Sequence, residues 1–253
     1  MEYLYFSILA VVCYFIGNIT WARVVAKAKH DDITKHGSGN PGTLNSWRSY
    51  GFWPGVITFV LDMLKGLICA LAGYWIFKCC GLNAEVALYV GGFACVLGHI
   101  YPVLFKFKGG KGIATSIGVF FVANWWVTLI CFVLMIVSML FIKYASICTL
   151  LEIIVLSVVE LCLVNPANWL NYIMICGILF LVLFAHRANI KRLFTGKENK
   201  TELLSMLKKI GKNKSGEAQT QPVENNVQGS EQPVEDKSID NDNNQNDNNQ
   251  IEK

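Results

Sequence analysis

The chain has 253 residues, of which 53% are apolar and only 16% are charged, whereas a soluble domain carries roughly a quarter of charged residues. This composition excludes an ordinary soluble globular protein. The net charge of +4 is unevenly divided, because residues 211–253 hold four lysines against nine acidic residues (−5), which leaves +9 on residues 1–210. A membrane domain with this excess is expected to favour anionic lipids or anionic substrates.

The first apolar run, Tyr3–Ile19, has no basic region before it and no small-residue cleavage site, and further apolar runs follow. We therefore expect a retained first membrane span rather than a signal peptide. Three polar, basic segments interrupt the apolar body: residues 23–51, residues 98–112, and a segment that begins at residue 185. The positive-inside rule places all three in the cytoplasm.

Segments on the same side of a membrane must be separated by an even number of crossings. Two crossings, near Phe52–Phe77 and Ala84–Leu97, fit between the first and second segments. The 72 residues from Ile113 to Phe184 suit four crossings, each near the minimum length for a span, with breaks at 124–126, 143–144 and 165–169. A single long tilted helix over Ile113–Ile142 is the alternative. The sequence thus predicts an all-α polytopic membrane protein with about seven transmembrane helices, an outside N-terminus and a cytoplasmic C-terminus.

Beyond residue 200 the composition changes. We divide the chain into an integral membrane domain (1–200), a possible interfacial amphipathic helix (201–212) and an acidic tail rich in Asn and Gln (213–253). Leucines recur at helical spacing in the second part, which fits a helix on the inner leaflet or equally a frayed helical end. The tail has no aromatic residue, so we expect it to be disordered.

The nine cysteines lie mostly singly inside apolar runs, without metal-ligand spacing. We read them as small core residues and predict no disulfide framework, no metal and no cofactor.

The first polar segment contains HGSGNPGTLNSWR, from His36 to Arg48. Its glycines permit positive φ and close approach to a ligand, and successive backbone N–H groups in such a loop bind anions. The Arg48 guanidinium suits phosphate. A plain turn is the alternative, but the serine, the arginine and the flanking lysines favour phosphate. The candidate residues of this segment are Gly37, Ser38, Gly39, Asn40, Gly42, Asn45 and Arg48.

The second polar segment reads GHIYP and then FKGGKG, and it leads into an apolar helix at Ile113. A glycine-rich turn that feeds a helix N-terminus binds anions. The spacing of a nucleotide P-loop is absent, so we do not predict ATP binding. Contact with lipid headgroups is the alternative, although it needs no tight backbone. The candidate residues are Lys108, Gly109, Gly110, Lys111 and Gly112.

The third polar segment is HRANIKRLFTGKE, from His186 to Glu198. His186 and Asn189 are three residues apart and share one helical face at the membrane edge. Asp62 and Lys65 stand inside an apolar run, where ionisable groups are costly. We expect these two to form an ion pair that ties their helix to a loop or a neighbour. Glu152 and Glu160 are left unexplained by the sequence.

Together the three segments, with LDMLKG at Leu61–Gly66, resemble the acyl-phosphate-dependent glycerol-3-phosphate acyltransferases of bacterial membranes. The resemblance covers residues 1 to about 200, and it implies that the motifs lie on cytoplasmic loops and form one active site at the plasma membrane. One departure is Thr43-Leu44 in place of the family's Ala-Thr. A hydroxyl contact at position 44 is therefore lost or taken over by Thr43.

The resemblance implies transfer of a fatty acyl group from acyl phosphate to the 1-hydroxyl of glycerol 3-phosphate, which gives lysophosphatidic acid and phosphate. Ser38, Arg48 and Lys111 would hold phosphate groups, with the Gly109-Gly110 backbone favouring glycerol 3-phosphate. His186 and Asn189 would orient the attacking hydroxyl, whose proton passes to His186 or to a phosphate oxygen of the donor.

The rival function is a transporter or binding protein for phosphorylated solutes. Transporters tend to place their sites at the membrane midplane, between internal repeats. This sequence has no obvious repeat, and its glycine loops are expected at the membrane face. No nucleic-acid partner is predicted, and the oligomeric state is open.

Overall fold

The computed structural model describes residues 2–201. The acidic tail lies outside the described residues, as does the proposed amphipathic segment apart from Thr201. Within the described range the chain is all-α, as predicted, with no strand. Its helices are α1 (Glu2–Gly17), α2 (Trp21–Ala28), α3 (Thr43–Tyr50), α4 (Phe52–Cys79), α5 (Ala84–Ile100), α6 (Ile113–Ala123), α7 (Trp125–Phe141), α8 (Ala145–Leu163), α9 (Trp169–Ala185) and α10 (Arg187–Phe194).

The breaks between the later helices fall where the sequence predicts them. Asn124 leaves the helical conformation (φ −144°, ψ 84°) and separates α6 from α7, so the structure does not contain one long helix over Ile113–Ile142. Two further breaks separate α7 from α8 and α8 from α9.

Four helical stretches of the described chain are long and apolar enough to cross a membrane: 2–28, 52–79, 84–105 and 145–163. The pair α9 and α10, bent by 54°, adds a fifth candidate, while α6 and α7 are shorter. The α6 helix has 11 residues, fewer than the roughly 17 that a single span needs. Length and composition therefore support four or five crossings, and the count of seven stays a prediction.

Glycines let the central helices pack backbone against backbone. A Cβ added at Gly17 of α1 would lie 2.2 Å from the Cys95 carbonyl oxygen of α5. One added at Gly66 of α4 would lie 2.1 Å from the Thr115 carbonyl oxygen of α6. Such close contacts through small residues are typical of helices in membranes, where burial from water does not drive association. The Gly66 contact joins α4 to α6, and further contacts of α4 with α5 and α1 place it between these three helices.

The buried ionisable residues of α4 form the expected ion pair. The Lys65 ammonium lies 2.9 Å from the Asp62 carboxylate. It also donates to the carbonyl oxygens of Gly17 (3.0 Å) and Ile19 (2.7 Å). These carbonyls lie at the C-terminal end of α1. The Asp62–Lys65 ion pair therefore fixes α4 to this end of α1.

Glu160 of α8 has a similar structural role. Its carboxylate accepts hydrogen bonds from the Tyr89 hydroxyl and from the Asn124 amide, the latter at 2.8 Å. The contact holds α8 against α5 and against the break between α6 and α7. Glu152 is buried, and nothing in the described part of the chain explains it.

Candidate active site

The three basic segments meet at one cavity of about 290 Å³. Its polar lining includes Ser38, Asn40, Asn45, Arg48, Lys111, His186, Asn189, Arg192 and Glu198. Its apolar lining includes Phe59 of α4 and Phe132, Met135, Ile136 and Met139 of α7. The cavity thus joins cationic and amide groups from the loops to an apolar wall inside the helix bundle, and it can accommodate an amphiphilic molecule.

Asn45, a buried residue of α3, fixes the conformation of the first glycine loop by hydrogen bonds. Its side-chain oxygen accepts a hydrogen bond from the Ser38 N–H at 3.1 Å. Its amide group donates to the carbonyl oxygens of Ile33 (3.3 Å) and His36 (3.0 Å). Gly37 has a positive φ of 54°, and a Cβ there would lie 2.3 Å from the Asn45 oxygen. Asn45 therefore holds Ser38 in place at the cavity.

Thr43 and Leu44, the two positions that depart from the family pattern, both line the cavity. Leu44 packs against the apolar cluster that includes Met135 and Met139. The leucine thus extends the apolar wall toward the loop, and the remaining hydroxyl is that of Thr43.

Arg48 and Lys111 bring positive charge to the cavity from two different segments. Arg48 projects from α3 and donates a hydrogen bond to the Thr201 hydroxyl. Lys111 lies just before α6, whose N-cap residue Gly112 has φ +89°. Burial, followed by the nearby Arg192 and Arg48 guanidiniums, lowers the pKa of Lys111 to about 8, although Glu198 opposes the shift. The lysine is poised to gain an anionic partner.

Glu198 balances these cations, a role that the sequence did not reveal. Its carboxylate accepts hydrogen bonds from Asn189 (2.7 Å), Arg192 (2.8 Å) and Ser146 (3.0 Å). Burial raises the pKa of Glu198, but these hydrogen bonds outweigh burial, and the net pKa is lowered. The carboxylate is therefore ionised and orients both Asn189 and Arg192.

The chain after α10 crosses the edge of the cavity. The Thr201 N–H donates to the Lys143 carbonyl oxygen at 2.6 Å, and its hydroxyl meets Arg48. Nothing in the sequence marked Thr201. Glu198 was visible only as the last residue of the third motif.

His186 is buried between α9 and α10. Its Nδ1 lies 2.8 Å from the Val182 carbonyl oxygen. A carbonyl can only accept, so Nδ1 carries a ring hydrogen. Burial beside the Lys111 ammonium favours the neutral ring, in which Nε2 presents a lone pair. Asn189 follows on α10 and also lines the cavity. The predicted pair is thus brought together with Ser38, Arg48 and Lys111.

Five predicted substrate-binding residues lie outside the cavity lining: Gly37, Gly39, Lys108, Gly109 and Gly110. Lys108 is exposed. The backbone N–H groups of Gly109 and Gly110 donate to the carbonyl oxygens of Ile100 (3.2 Å) and His99 (3.0 Å). These amides are already used in the structure, where the two glycines let the turn pack closely on the end of α5. Their contact with the phosphate of a substrate stays a prediction.

The helical membrane fold and the cationic, amphiphilic cavity define the class of protein: an integral membrane protein whose cavity joins cationic groups to an apolar wall. The sequence pattern of the family described as glycerol-3-phosphate acyltransferase matches residues 7–196. The chain belongs to this family.

Named relatives and a solved structure are similar to this chain over most of its length. The glycerol-3-phosphate acyltransferase of Finegoldia magna is 42% identical over 202 residues, which is 79% of this chain and 98% of the relative. That of Aquifex aeolicus is 38% identical over 76% of this chain and 97% of its own length. The crystal structure of PlsY (YgiH), an integral membrane glycerol 3-phosphate acyltransferase in its glycerol 3-phosphate form, is 37% identical with a TM-score of 0.72, covering 80% of this chain and 98% of that one.

Proposed function

We propose that this protein transfers a fatty acyl group from acyl phosphate to the 1-hydroxyl of glycerol 3-phosphate, the first acylation step of phospholipid biosynthesis. The products are lysophosphatidic acid and phosphate. The observation that carries the proposal is the single cavity in which Arg48 and Lys111 stand beside an apolar wall. A fatty acyl phosphate has the matching chemistry, with an anionic head and an apolar tail. The names of the relatives and the glycerol 3-phosphate form of the similar structure support the acceptor.

In the proposed reaction, the acceptor hydroxyl oxygen attacks the acyl carbon. The bond from that carbon to the phosphate oxygen breaks, and phosphate leaves with the electron pair. Ser38, Arg48 and Lys111 hold the phosphate groups and stabilise the negative charge that develops. Because acyl phosphate is a mixed anhydride and already activated, positioning and charge neutralisation suffice, and no covalent acyl-enzyme is needed.

His186 and Asn189 orient the attacking hydroxyl in this proposal. The free Nε2 lone pair of His186 accepts a hydrogen bond from the hydroxyl, which directs an oxygen lone pair at the acyl carbon. The proton then passes to a phosphate oxygen of the donor, since Arg48 and Lys111 make this site unfavourable for an additional cation on the histidine. Glu198 fixes the Asn189 amide through the hydrogen bond described above.

We further propose that the cavity opens at the cytoplasmic face of the plasma membrane. The basic residues of the three segments favour that side by the positive-inside rule. Seven crossings, with the N-terminus outside and the C-terminus inside, would put all three segments there. The cationic side chains would take the place of a divalent metal, so turnover should persist in a chelator.

The proposal is tested by assaying the purified protein with glycerol 3-phosphate and either acyl phosphate or acyl-CoA, in chelator. Lysophosphatidic acid should form from acyl phosphate only. Arg48→Ala removes a charged hydrogen bond at the reacting centre and should lower the maximal rate by about 30- to 1000-fold, equivalent to ~2 to 4 kcal/mol.

Lys27→Ala is the matched control, because it removes one positive charge from an exposed site on α2, outside the cavity lining. Its rate should stay near that of the wild type. Product formed from acyl-CoA, or no product from either donor, would refute the assignment of the donor. Transport of glycerol 3-phosphate into vesicles without acylation would favour the rival transporter function.

A further inference from the structure

A second histidine, His99, lines the same cavity. It lies near the end of α5 and is only 4% exposed. The reaction described above does not use it. Its ring stands between the buried pair Asp62 and Lys65 on one side and the turn at Gly110 on the other.

The contacts of Lys65 determine where the ring hydrogen of His99 lies. The Lys65 ammonium is 2.8 Å from His99 Nδ1. A contact this short between two nitrogens is a hydrogen bond, in which one nitrogen must offer a lone pair. The ammonium nitrogen has none. His99 Nδ1 is therefore the acceptor, the ring is neutral, and the hydrogen is on Nε2. Asp62, whose carboxylate oxygen is 3.4 Å from Nδ1, compensates the charge of Lys65.

The Nε2 donor faces the turn that carries Lys111. A Cβ built on Gly110 would lie 2.1 Å from His99 Nε2 and 2.7 Å from Cε1. Only a glycine at position 110 leaves enough room for the His99 ring in this position. His99, Lys111 and Gly112 all line the cavity, and Lys111 and Gly112 directly follow the glycine on which the ring packs, so the Nε2–H group lies beside the turn that carries the lysine and leads into the N-terminus of α6. Three kinds of donor collected there suit a phosphate oxygen.

We propose that His99 is a further substrate-binding residue, whose Nε2–H donates a hydrogen bond to the phosphate of glycerol 3-phosphate held at Lys111. Lys65 and Asp62 act through it as positioning residues, because they fix the ring and its tautomer. The identity of the ligand rests on the proposed function, whereas the donor itself follows from the contacts of the ring. Gly110 serves the same purpose by leaving room for the ring, which explains why a glycine whose amide is already used stands beside the site.

Two substitutions separate the donor from the packing. His99→Asn places an amide oxygen near the position of Nδ1, where it can accept from Lys65, but it has no donor at the position of Nε2. His99→Gln reaches further and places an N–H donor near the position of Nε2. The Asn variant should raise the Michaelis constant for glycerol 3-phosphate about tenfold or more, which corresponds to one lost hydrogen bond to a charged group. The Gln variant should stay within about threefold of the wild type, and the Michaelis constant for acyl phosphate should change little in either.

Calorimetric binding of glycerol 3-phosphate in the absence of an acyl donor provides a readout that is independent of turnover. Weaker binding by the Asn variant, restored in the Gln variant, supports the inference even if acyl phosphate proves not to be the donor. Equal binding by wild type and Asn variant overturns it. A change in the Michaelis constant for acyl phosphate alone also overturns it, because the phosphate at His99 would then belong to the donor.

If the Asn variant does not fold, the wild type decides the question by ¹⁵N NMR of its histidines. The His99 ring should show a hydrogen on Nε2 and none on Nδ1, and the Nε2 signal should shift when glycerol 3-phosphate is added. A hydrogen on Nδ1, or a signal that the ligand leaves unchanged, would contradict the inference.

Discussion

At the scale of single residues, the cavity owes its properties to cations held close together around one carboxylate. Lys111, Arg48 and Arg192 are neighbours, and Glu198 is the acidic group that opposes their repulsion. The Glu198 side chain is only 5% exposed, whereas that of Arg192 is 36% exposed. An anionic group would relieve the remaining repulsion, so binding energy is available where the proposed reaction holds a phosphate.

The lowered pKa of Lys111 predicts an alkaline limit to activity. The ammonium is charged below its pKa of about 8 and neutral above it. The specificity constant for glycerol 3-phosphate, which reports on the free enzyme, should therefore fall as the pH rises through about 8. A pH profile of the wild type, corrected for the hydrolysis of acyl phosphate, measures this.

Lys111→Arg is the control, because a guanidinium stays charged throughout this range. Its specificity constant should start lower in absolute value but show no decline near pH 8. A decline at the same pH in both proteins would show that another group is responsible.

Thr201 provides a second prediction at this scale. Its hydroxyl accepts a hydrogen bond from Arg48, and its side chain is buried. Thr201→Val keeps the shape but leaves the guanidinium without this partner, so Arg48 should be less well positioned. The loss of one such bond, about 1 kcal/mol, should lower the turnover number about three- to tenfold. Thr201→Ser keeps the hydroxyl and should retain most of the rate. Equal rates in the Val and Ser variants would contradict the role.

At the scale of helices and loops, the sequence predicts more of the fold than of the site. The apolar runs and their polar interruptions place α4 through α9 correctly, because each helix in a membrane must satisfy its own backbone hydrogen bonds. The same reasoning finds three of the loops that meet at the cavity. It cannot find contacts between distant residues, such as Thr201 with Arg48, which lie 153 positions apart.

The glycines of the second segment show this limit. Composition alone cannot tell a glycine that binds a ligand from one that packs. In the structure the Gly110 amide donates to the carbonyl oxygen of His99, so this glycine packs the turn against the end of α5. That partner lies eleven residues earlier, before the turn, and no local pattern reveals it.

The contact between α4 and α6 yields a prediction about stability. Gly66→Ala adds a Cβ about 2.1 Å from the Thr115 backbone oxygen, so the two helices must separate. Overpacking of this kind costs about 1–3 kcal/mol, and the protein in detergent should unfold at a lower temperature.

Leu71→Ala, on an exposed face of the same helix, is the comparison. It removes apolar volume from a position that does not press on a neighbour, so its unfolding temperature should change less. If the two variants unfold at the same temperature, the close contact does not matter for stability.

At the scale of the whole molecule, the three basic segments meet at one cavity, so they should lie on the same side of the membrane. In a background without native cysteines, single cysteines at positions 35, 108 and 197 should all react with an impermeant reagent from the same side, the cytoplasmic one. These positions are lysines in exposed parts of the three segments. Labelling of one position from the opposite side would overturn the proposed topology.

The central claim is that the acyl group moves directly between two substrates that occupy one cavity. The most direct test mixes an excess of enzyme with acyl phosphate alone, and then measures the intact mass of the protein and the phosphate released. The account predicts an unmodified protein and no burst of phosphate until glycerol 3-phosphate is added, after which lysophosphatidic acid and phosphate appear in equal amounts. An acyl adduct on the protein, formed with stoichiometric phosphate before the acceptor arrives, would contradict it.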